Sequence, residues 1–145
     1  MNAIHNNNGK GCLASPTFDD FAYQVQMTIV KGEGGDILIR GDTKGDGYYF
    51  LVRQNGTYEF GIYKNCTNCM FTILRSASSS AINSGLNQSN LVAVRASGST
   101  INLYVNNQLI DTVSDSSYSQ GQIGVAATGV NGPTEVVFRN AKVWT

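Results

Sequence analysis

Tyrosine, arginine and glutamate side chains recur at alternating positions between residues 34 and 64. In one predicted strand Tyr49 and Arg53 share a face, and in the next Glu59 and Tyr63 share one. Tyrosine rings can stack on the apolar faces of sugars, while arginine and glutamate form directional hydrogen bonds with hydroxyl groups. This combination of side chains therefore predicts a surface that binds a polyhydroxylated ligand.

Arg40 on the preceding strand, and Arg95 and Tyr104 on later strands, are expected to point to the same face. The predicted ligand-binding set is Arg40, Tyr49, Arg53, Glu59, Tyr63, Arg95 and Tyr104. The competing interpretation is that these are ordinary outward residues of a sheet, with Arg53 and Glu59 joined by a salt bridge along the ~7 Å diagonal between neighbouring strands. The sequence leaves both interpretations open.

The elements that position this set are strands joined by glycine-rich turns. Asn55-Gly56 predicts a tight hairpin, because both residues tolerate positive φ. A two-residue loop would set Val52 opposite Glu59 and mix apolar with polar faces. A three-residue loop over 54–56 sets Val52 opposite Tyr58 and keeps one face apolar, so the hydrophobic pattern favours the longer loop.

The rest of the chain shows the same period of two. About ten segments alternate apolar and polar residues, turn signals separate them, and no segment has helical periodicity. This predicts an all-β, two-sheet antiparallel sandwich, in which the long connection 76–90 crosses between sheets. We expect residues 1–15 to be a linker or flexible segment and residues 16–145 to be one domain.

Composition limits the classes of function. Ten basic and ten acidic residues cancel, which gives no reason to expect a nucleic-acid partner. No apolar run approaches the ~20 residues of a membrane span. The low charge, the many Ser, Thr and Asn residues and the polar start predict an extracytoplasmic module that was excised from a longer chain.

The three cysteines allow several arrangements. Cys66 and Cys69 are close enough in sequence for a local disulfide in an oxidising compartment, which leaves Cys12 unpaired. A zinc site from His5 and the three cysteines is the weaker alternative, because it lacks paired ligand spacing. A third possibility is a surface loop with no cross-link.

The second half of the chain carries the most specific pattern. The run NLVAVRASGSTINLYVNNQLIDTVSDSSYSQGQIGVAATG, with YYFLVRQNGTYEFGIY before it and TEVVFRNAKVW after it, resembles the concanavalin A-like lectin/glucanase superfamily. Within that superfamily it is similar to laminin-G-like domains and to sandwich domains of the 3-keto-disaccharide hydrolase family. The resemblance covers about residues 18–144 and implies a jelly-roll fold.

The resemblance also restricts the activities that we expect of this chain. Retaining glucanases of the superfamily carry two glutamates and an aspartate on one strand, and the three glutamates Glu33, Glu59 and Glu135 do not have this spacing. We therefore expect a non-catalytic binding or sensing module of a bacterial protein, with carbohydrate as its ligand. A laminin-G-like protein-interaction domain is the main alternative, and a glycan-cleaving enzyme, using Asp36, Asp42 or Glu59, is a distant one.

The sequence allows a calcium site without identifying one. The segment GDTKGDG has Asp42 and Asp46 in place, but Lys44 stands where a second carboxylate is needed. A simple turn is therefore the favoured interpretation of this segment. The resemblance nevertheless allows calcium elsewhere, because related lectin and laminin-G domains often hold it through a few acidic and backbone oxygens. We expect no other cofactor.

Overall fold

A computed structural model describes residues 2–5, 11–64, 70–129 and 131–145 of the chain. Over these residues the chain forms strands and turns, with no helix long and apolar enough to cross a membrane. The strands are β1 (Asn2–His5), β2 (Gly11–Phe18), β3 (Phe21–Lys31), β4 (Gly34–Gly41), β5 (Gly47–Arg53), β6 (Thr57–Lys64), β7 (Met70–Ser78), β8 (Ser89–Ser97), β9 (Thr100–Val105), β10 (Gln108–Ser114), β11 (Gly121–Thr128) and β12 (Thr134–Trp144).

These described strands form two six-stranded sheets. The first sheet has the order β1-β12-β3-β8-β9-β10, and the second has the order β2-β11-β4-β5-β6-β7. All of their pairings are antiparallel. The predicted all-β sandwich is confirmed, and the connection after β7 does cross from the second sheet to the first.

The core lies between the sheets and follows the alternation of the sequence. In β3 every odd residue from Phe21 to Ile29 is buried, while the even residues are partly exposed. The facing side of the second sheet contributes apolar and aromatic side chains, among them Ile37, Phe50 and Phe60. Burial of these side chains is the main force that holds the sheets together.

The hairpin between β5 and β6 has the predicted register. Val52 lies opposite Tyr58 and Phe50 opposite Phe60, as the three-residue loop requires. Gly56 has φ +86°, a conformation that a side chain would strain, and its N–H donates to the carbonyl of Arg53 at 3.1 Å. The three-residue loop that the apolar pattern predicts is therefore confirmed.

The N-terminal residues differ from the expectation of a linker at 1–15. β1 pairs with β12, and β2 pairs with β11, so both are edge strands of the sandwich. Backbone pairing to a neighbouring strand needs little hydrophobic pattern, which explains why the polar sequence hid these strands. Cys12 is an exposed free thiol. Cys66 and Cys69, and the side chain of His5, lie outside the described part of the structure.

Candidate functional site

The predicted ligand-binding set is divided between two opposite surfaces. Tyr49, Arg53, Glu59 and Tyr63 lie on the outer face of the second sheet, on β5 and β6. Arg95 and Tyr104 belong to β8 and β9 in the first sheet. The expectation that these residues share one face is therefore wrong. Alternation reveals which residues point away from the core but not which sheet carries them.

Arg40 belongs to neither face. It is only 2% exposed and adopts φ +50° near the end of β4. Its guanidinium donates to three backbone carbonyls, those of Asp19 at 2.7 Å, Gly98 at 2.7 Å and Tyr118 at 3.1 Å. Arg40 therefore joins three loops at one end of the sandwich, and these contacts occupy its guanidinium.

On the second sheet, the outward side chains form a buried polar cluster. We call Asp36, Tyr49, Arg53, Glu59 and Tyr63 the second-sheet cluster. Arg53 Nη2 lies 2.9 Å from Glu59 Oε2, which confirms the predicted diagonal salt bridge. The Tyr49 hydroxyl donates to Glu59 Oε1 at 2.6 Å. Both oxygens of Glu59 are therefore engaged within the protein.

Close packing of two tyrosine rings closes this cluster. The rings of Tyr49 and Tyr63 stack with centroids 4.4 Å apart. Tyr49 leans over Gly61, where a Cβ atom would lie 2.6 Å from its hydroxyl oxygen, so only glycine permits this arrangement. Tyr49 is 1% exposed and Glu59 is 8% exposed, although the sequence predicted an open face.

Asp36 is the unusual acid of the cluster. Its Oδ2 accepts a 3.2 Å hydrogen bond from Tyr63, while its Oδ1 is buried without a partner among the described residues. Burial raises the pKa of Asp36 from 3.8 to about 7, and the nearby Thr128 and Tyr63 hydroxyls and the charge of Arg53 offset this only in part. Burial likewise raises the pKa of Tyr49 and of Tyr63.

A carboxyl group that is protonated near neutral pH beside a paired carboxylate can in principle perform acid and base chemistry. Asp36 and Glu59 lie on the same face with Leu51 between them, two strand spacings or about 10 Å apart at the backbone. Neither is accessible to a substrate, since Asp36 is fully buried and Glu59 nearly so. The arrangement therefore favours a structural role.

The outer face of the first sheet is organised differently. Two rows of paired residues run across β12, β3, β8 and β9, and in each row an alanine separates larger side chains. One row is Trp144, Ala22, Arg95 and Asn102; the other is Lys142, Gln24, Ala93 and Tyr104. We call the surface formed by these two rows the first-sheet groove.

The first-sheet groove has a small floor and open aromatic walls. Ala22 and Ala93 leave room between Trp144, which is 51% exposed, and Tyr104. Adjoining hollows of about 290 Å³ and about 410 Å³ share Ala22, Arg95 and Trp144 in their linings. The groove can therefore place a flat ring against an aromatic side chain and hydrogen-bond it at the edges.

A β-bulge explains why the sequence did not identify Trp144. Val136 and Phe138 point into the core, so simple alternation would also send Trp144 inward. The register of β12 against β3 shifts between Arg139 and Lys142, and Asn140 takes φ +54° there. Two features of the sequence could have indicated this bulge. Simple alternation would place the charged Lys142 on the core side of the strand, and the nearby Asn140 is a residue type that tolerates left-handed conformations.

A further hollow, of about 570 Å³, lies between the two sheets. Its lining is mainly apolar and includes Leu13, Val25 and Phe138. The one buried hydroxyl in this lining, that of Tyr23, already donates to the carbonyl of Gly124 at 3.2 Å. This hollow offers few hydrogen-bonding groups and suits a polyhydroxylated ligand less well than the first-sheet groove.

The acidic turn at Asp42 has a structural explanation. Asp42 Oδ1 accepts hydrogen bonds from the N–H groups of Lys44 at 2.8 Å and Asp46 at 3.1 Å, as aspartate does in tight turns. Among the described residues there is no group of three or more His, Cys, Asp or Glu side chains that could hold a metal ion. Calcium binding stays a prediction.

The fold has many counterparts among solved structures. The carbohydrate-binding module CBM66 from Bacillus subtilis superposes with a TM-score of 0.82 at 22% identity, over 94% of this chain and 82% of that one. Sheep galectin-11, in complex with glycerol, gives 0.65 at 11% identity over 94% of this chain and 98% of that one. This chain has the fold of the concanavalin A-like lectins.

The similarity extends to an enzyme. An alginate lyase of polysaccharide lyase family 7 gives a TM-score of 0.59 at 15% identity, over 90% of this chain and 62% of that one. No protein-family model matches the sequence, and no curated protein matches it. At these identities the likeness establishes the fold alone, because sandwiches of this kind carry unrelated activities.

Proposed function

We propose that this chain is a non-catalytic carbohydrate-binding domain and that it holds its ligand in the first-sheet groove. The observation that carries the proposal is the half-exposed indole of Trp144 beside the alanine floor, with Arg95 across the same row. Aromatic faces stack on sugar rings, and arginine and amide side chains bond their hydroxyl groups. The carbohydrate-binding module and the galectin among its structural neighbours support this proposal.

The second-sheet cluster offers a poorer surface for a sugar. Its hydrogen-bonding groups are largely used within the cluster, and Tyr49 and Glu59 are buried. The binding roles of Arg40, Tyr49, Arg53, Glu59 and Tyr63 stay predictions. Arg95 and Tyr104 take part in the proposed site, together with Trp144, Gln24 and Asn102.

The test is a titration of the protein with a panel of oligosaccharides, followed by NMR or calorimetry. We expect Kd values of about 10⁻³–10⁻⁵ M, because an open groove removes only part of its ligand from water. Trp144→Ala should weaken binding about tenfold or more. Covering on the order of 100 Å² of the indole contributes about 2.5 kcal/mol at about 25 cal/mol per Å².

The matched control is Phe71→Ala, which removes another exposed aromatic side chain from the opposite side of the molecule. Phe71 is 59% exposed and lies opposite Tyr63 on β7. It should leave binding unchanged. Loss of binding in the Phe71 variant but not in the Trp144 variant would move the site to the second sheet. Release of new reducing ends from any panel member would contradict a non-catalytic role.

A protein-interaction domain is the second candidate. It is favoured by edge strand β7, where Met70, Phe71 and Ile73 are exposed, because unpaired strand edges and apolar side chains suit contact with another chain. A panel in which no glycan binds the protein would give this candidate first place.

We also propose that the domain works outside the cytoplasm as part of a larger bacterial protein. The low charge content and the many neutral polar residues support this placement. We expect a membrane-impermeant reagent to label the protein on intact source cells. Exclusive labelling after lysis would contradict it.

A further inference from the structure

We infer that the first-sheet groove selects an acidic glycan, one that carries carboxylate or sulfate groups. This inference rests on the proposed function and adds the chemical class of its ligand. Arg95, Arg139 and Lys142 are exposed on the outer face of the first sheet, and none has an ion-pair partner within the described part of the chain.

Carboxylate side chains are absent from the described outward strand positions around these three cations. The outward residues of β3 next to them are Ala22, Gln24 and Gln26, and those of β8 are Leu91 and Ala93. On β12 the outward acid is Glu135, at the opposite end of the strand from Trp144. The groove is therefore a locally positive surface on a chain with no net charge.

One acid does approach the groove, and other groups already hold it. Asp20 lines the larger hollow together with Arg95 and Trp144. Its Oδ1 accepts a 2.8 Å hydrogen bond from the N–H of Gly98 and lies 3.5 Å from Arg40 Nη2. This oxygen is therefore engaged by Gly98 and Arg40, and no ion pair joins Asp20 to Arg95 among the described residues.

The geometry of the first row matches an acidic sugar. Trp144 and Arg95 flank Ala22 on adjacent strands, so their backbones are two strand spacings or about 10 Å apart. A ring stacked on Trp144 above Ala22 would direct its substituents towards Arg95. The planar guanidinium forms paired hydrogen bonds with a carboxylate or sulfate, which a neutral hydroxyl group cannot match. Lys142, two residues before Trp144, adds a second positive charge.

The experiment compares acidic oligosaccharides with neutral partners of the same backbone. Oligomers of each common uronic acid are titrated beside their methyl esters, and sulfated oligosaccharides beside their desulfated forms. We expect the neutral partner to bind about tenfold more weakly, which corresponds to about 1.4 kcal/mol. Raising the salt from about 0.1 M to about 1 M, which shortens the screening length from about 10 Å to about 3 Å, should remove most of that difference.

Substitutions assign the effect to the groove. Arg95→Gln and Lys142→Gln should each reduce the preference for the acidic partner. Arg95→Lys should retain only part of this preference, because lysine keeps the charge but cannot form the paired hydrogen bonds of a planar guanidinium. Lys44→Gln is the control, since it removes one positive charge from the turn between β4 and β5. The uronate and sulfate arms then show which acidic group the site prefers.

The outcomes separate the two levels of the proposal. Equal binding of acidic and neutral partners, with loss in Trp144→Ala, would overturn the acidic selectivity and leave carbohydrate binding standing. An acidic preference that survives Arg95→Gln and Lys142→Gln would also overturn it. Failure of every glycan, acidic or neutral, would reject the carbohydrate-binding function and the inference with it.

Discussion

The two outer faces of this sandwich contain similar residue types and use them in opposite ways. On the second sheet, the carboxylate of Glu59 accepts from the hydroxyl of Tyr49 and the guanidinium of Arg53, and Tyr49 and Glu59 are buried. On the first sheet, Trp144, Arg95 and Lys142 surround an alanine floor, and Trp144 and Arg95 line open hollows. Side-chain chemistry alone therefore does not distinguish a binding surface from a stabilising one.

The difference arises from the residues between the polar groups. Gly61 leaves room for the ring of Tyr49 to lean over the neighbouring strand, and this ring stacks on Tyr63. In the first sheet the small residues Ala22 and Ala93 lie between larger neighbours on adjacent strands, and an open hollow lies beside them. Small residues thus allow closure in one face and leave a groove in the other.

The largest effect that tests this comparison is on the second sheet. Tyr49→Ala should lower the free energy of unfolding by about 3–5 kcal/mol, since it removes a buried ring and leaves Glu59 Oε1 without its hydrogen-bond donor. Tyr49→Phe should cost only about 1 kcal/mol, because it keeps the ring. Urea unfolding measures both variants. A cost below about 1 kcal/mol for Tyr49→Ala would show that this face is open after all.

The second effect is the pH dependence that Asp36 causes. In the folded protein its pKa is about 7, against 3.8 when it is unperturbed. Between these pH values the folded state holds one more proton than the unfolded state, so the free energy of unfolding falls as pH rises. The contribution of Asp36 is complete below about pH 3.8 and is lost as pH passes 7.

Unfolding measured from about pH 5 to about pH 8 should reveal this loss. Each pH unit in the window lowers the free energy of unfolding by up to about 1.4 kcal/mol, on the order of a few kcal/mol in all. Asp36→Asn should flatten the slope, because asparagine does not titrate. The lowered pKa of Asp115 acts below pH 4, outside this window. Identical slopes in wild type and variant would show that Asp36 is solvated.

Local patterns in the sequence predicted the fold well. Alternation identified the faces of β3, β5 and β6, and the need to keep one face apolar gave the register of Val52 opposite Tyr58. These features depend on neighbours in the chain and on turn geometry, which a single sequence contains. The edge strand β2 was not predicted, because it is held by backbone pairing with β11 and its sequence has little hydrophobic alternation.

The candidate site was harder to predict, because it depends on contacts between distant segments. Arg95 and Tyr104 were correctly placed outside the core but assigned to the wrong sheet. The burial of Tyr49 depends on a glycine in the neighbouring strand, and the orientation of Trp144 depends on a bulge at Asn140. A single alternation rule cannot reveal either of these, since each requires knowing what the partner strand places opposite.

The smallest expected effect is on the first sheet. Trp144→Ala should change the free energy of unfolding by about 0.5 kcal/mol or less, because half of the indole is already exposed and the residue lies at the end of β12. The same urea titration that measures Tyr49→Ala measures this variant. Since both changes remove a large aromatic ring from an outer face, their ratio tests the comparison directly. A cost above about 2 kcal/mol would mean that Trp144 packs as a core residue. The first-sheet groove would then be a stabilising surface like its counterpart, and a loss of glycan binding in this variant would reflect damage to the fold.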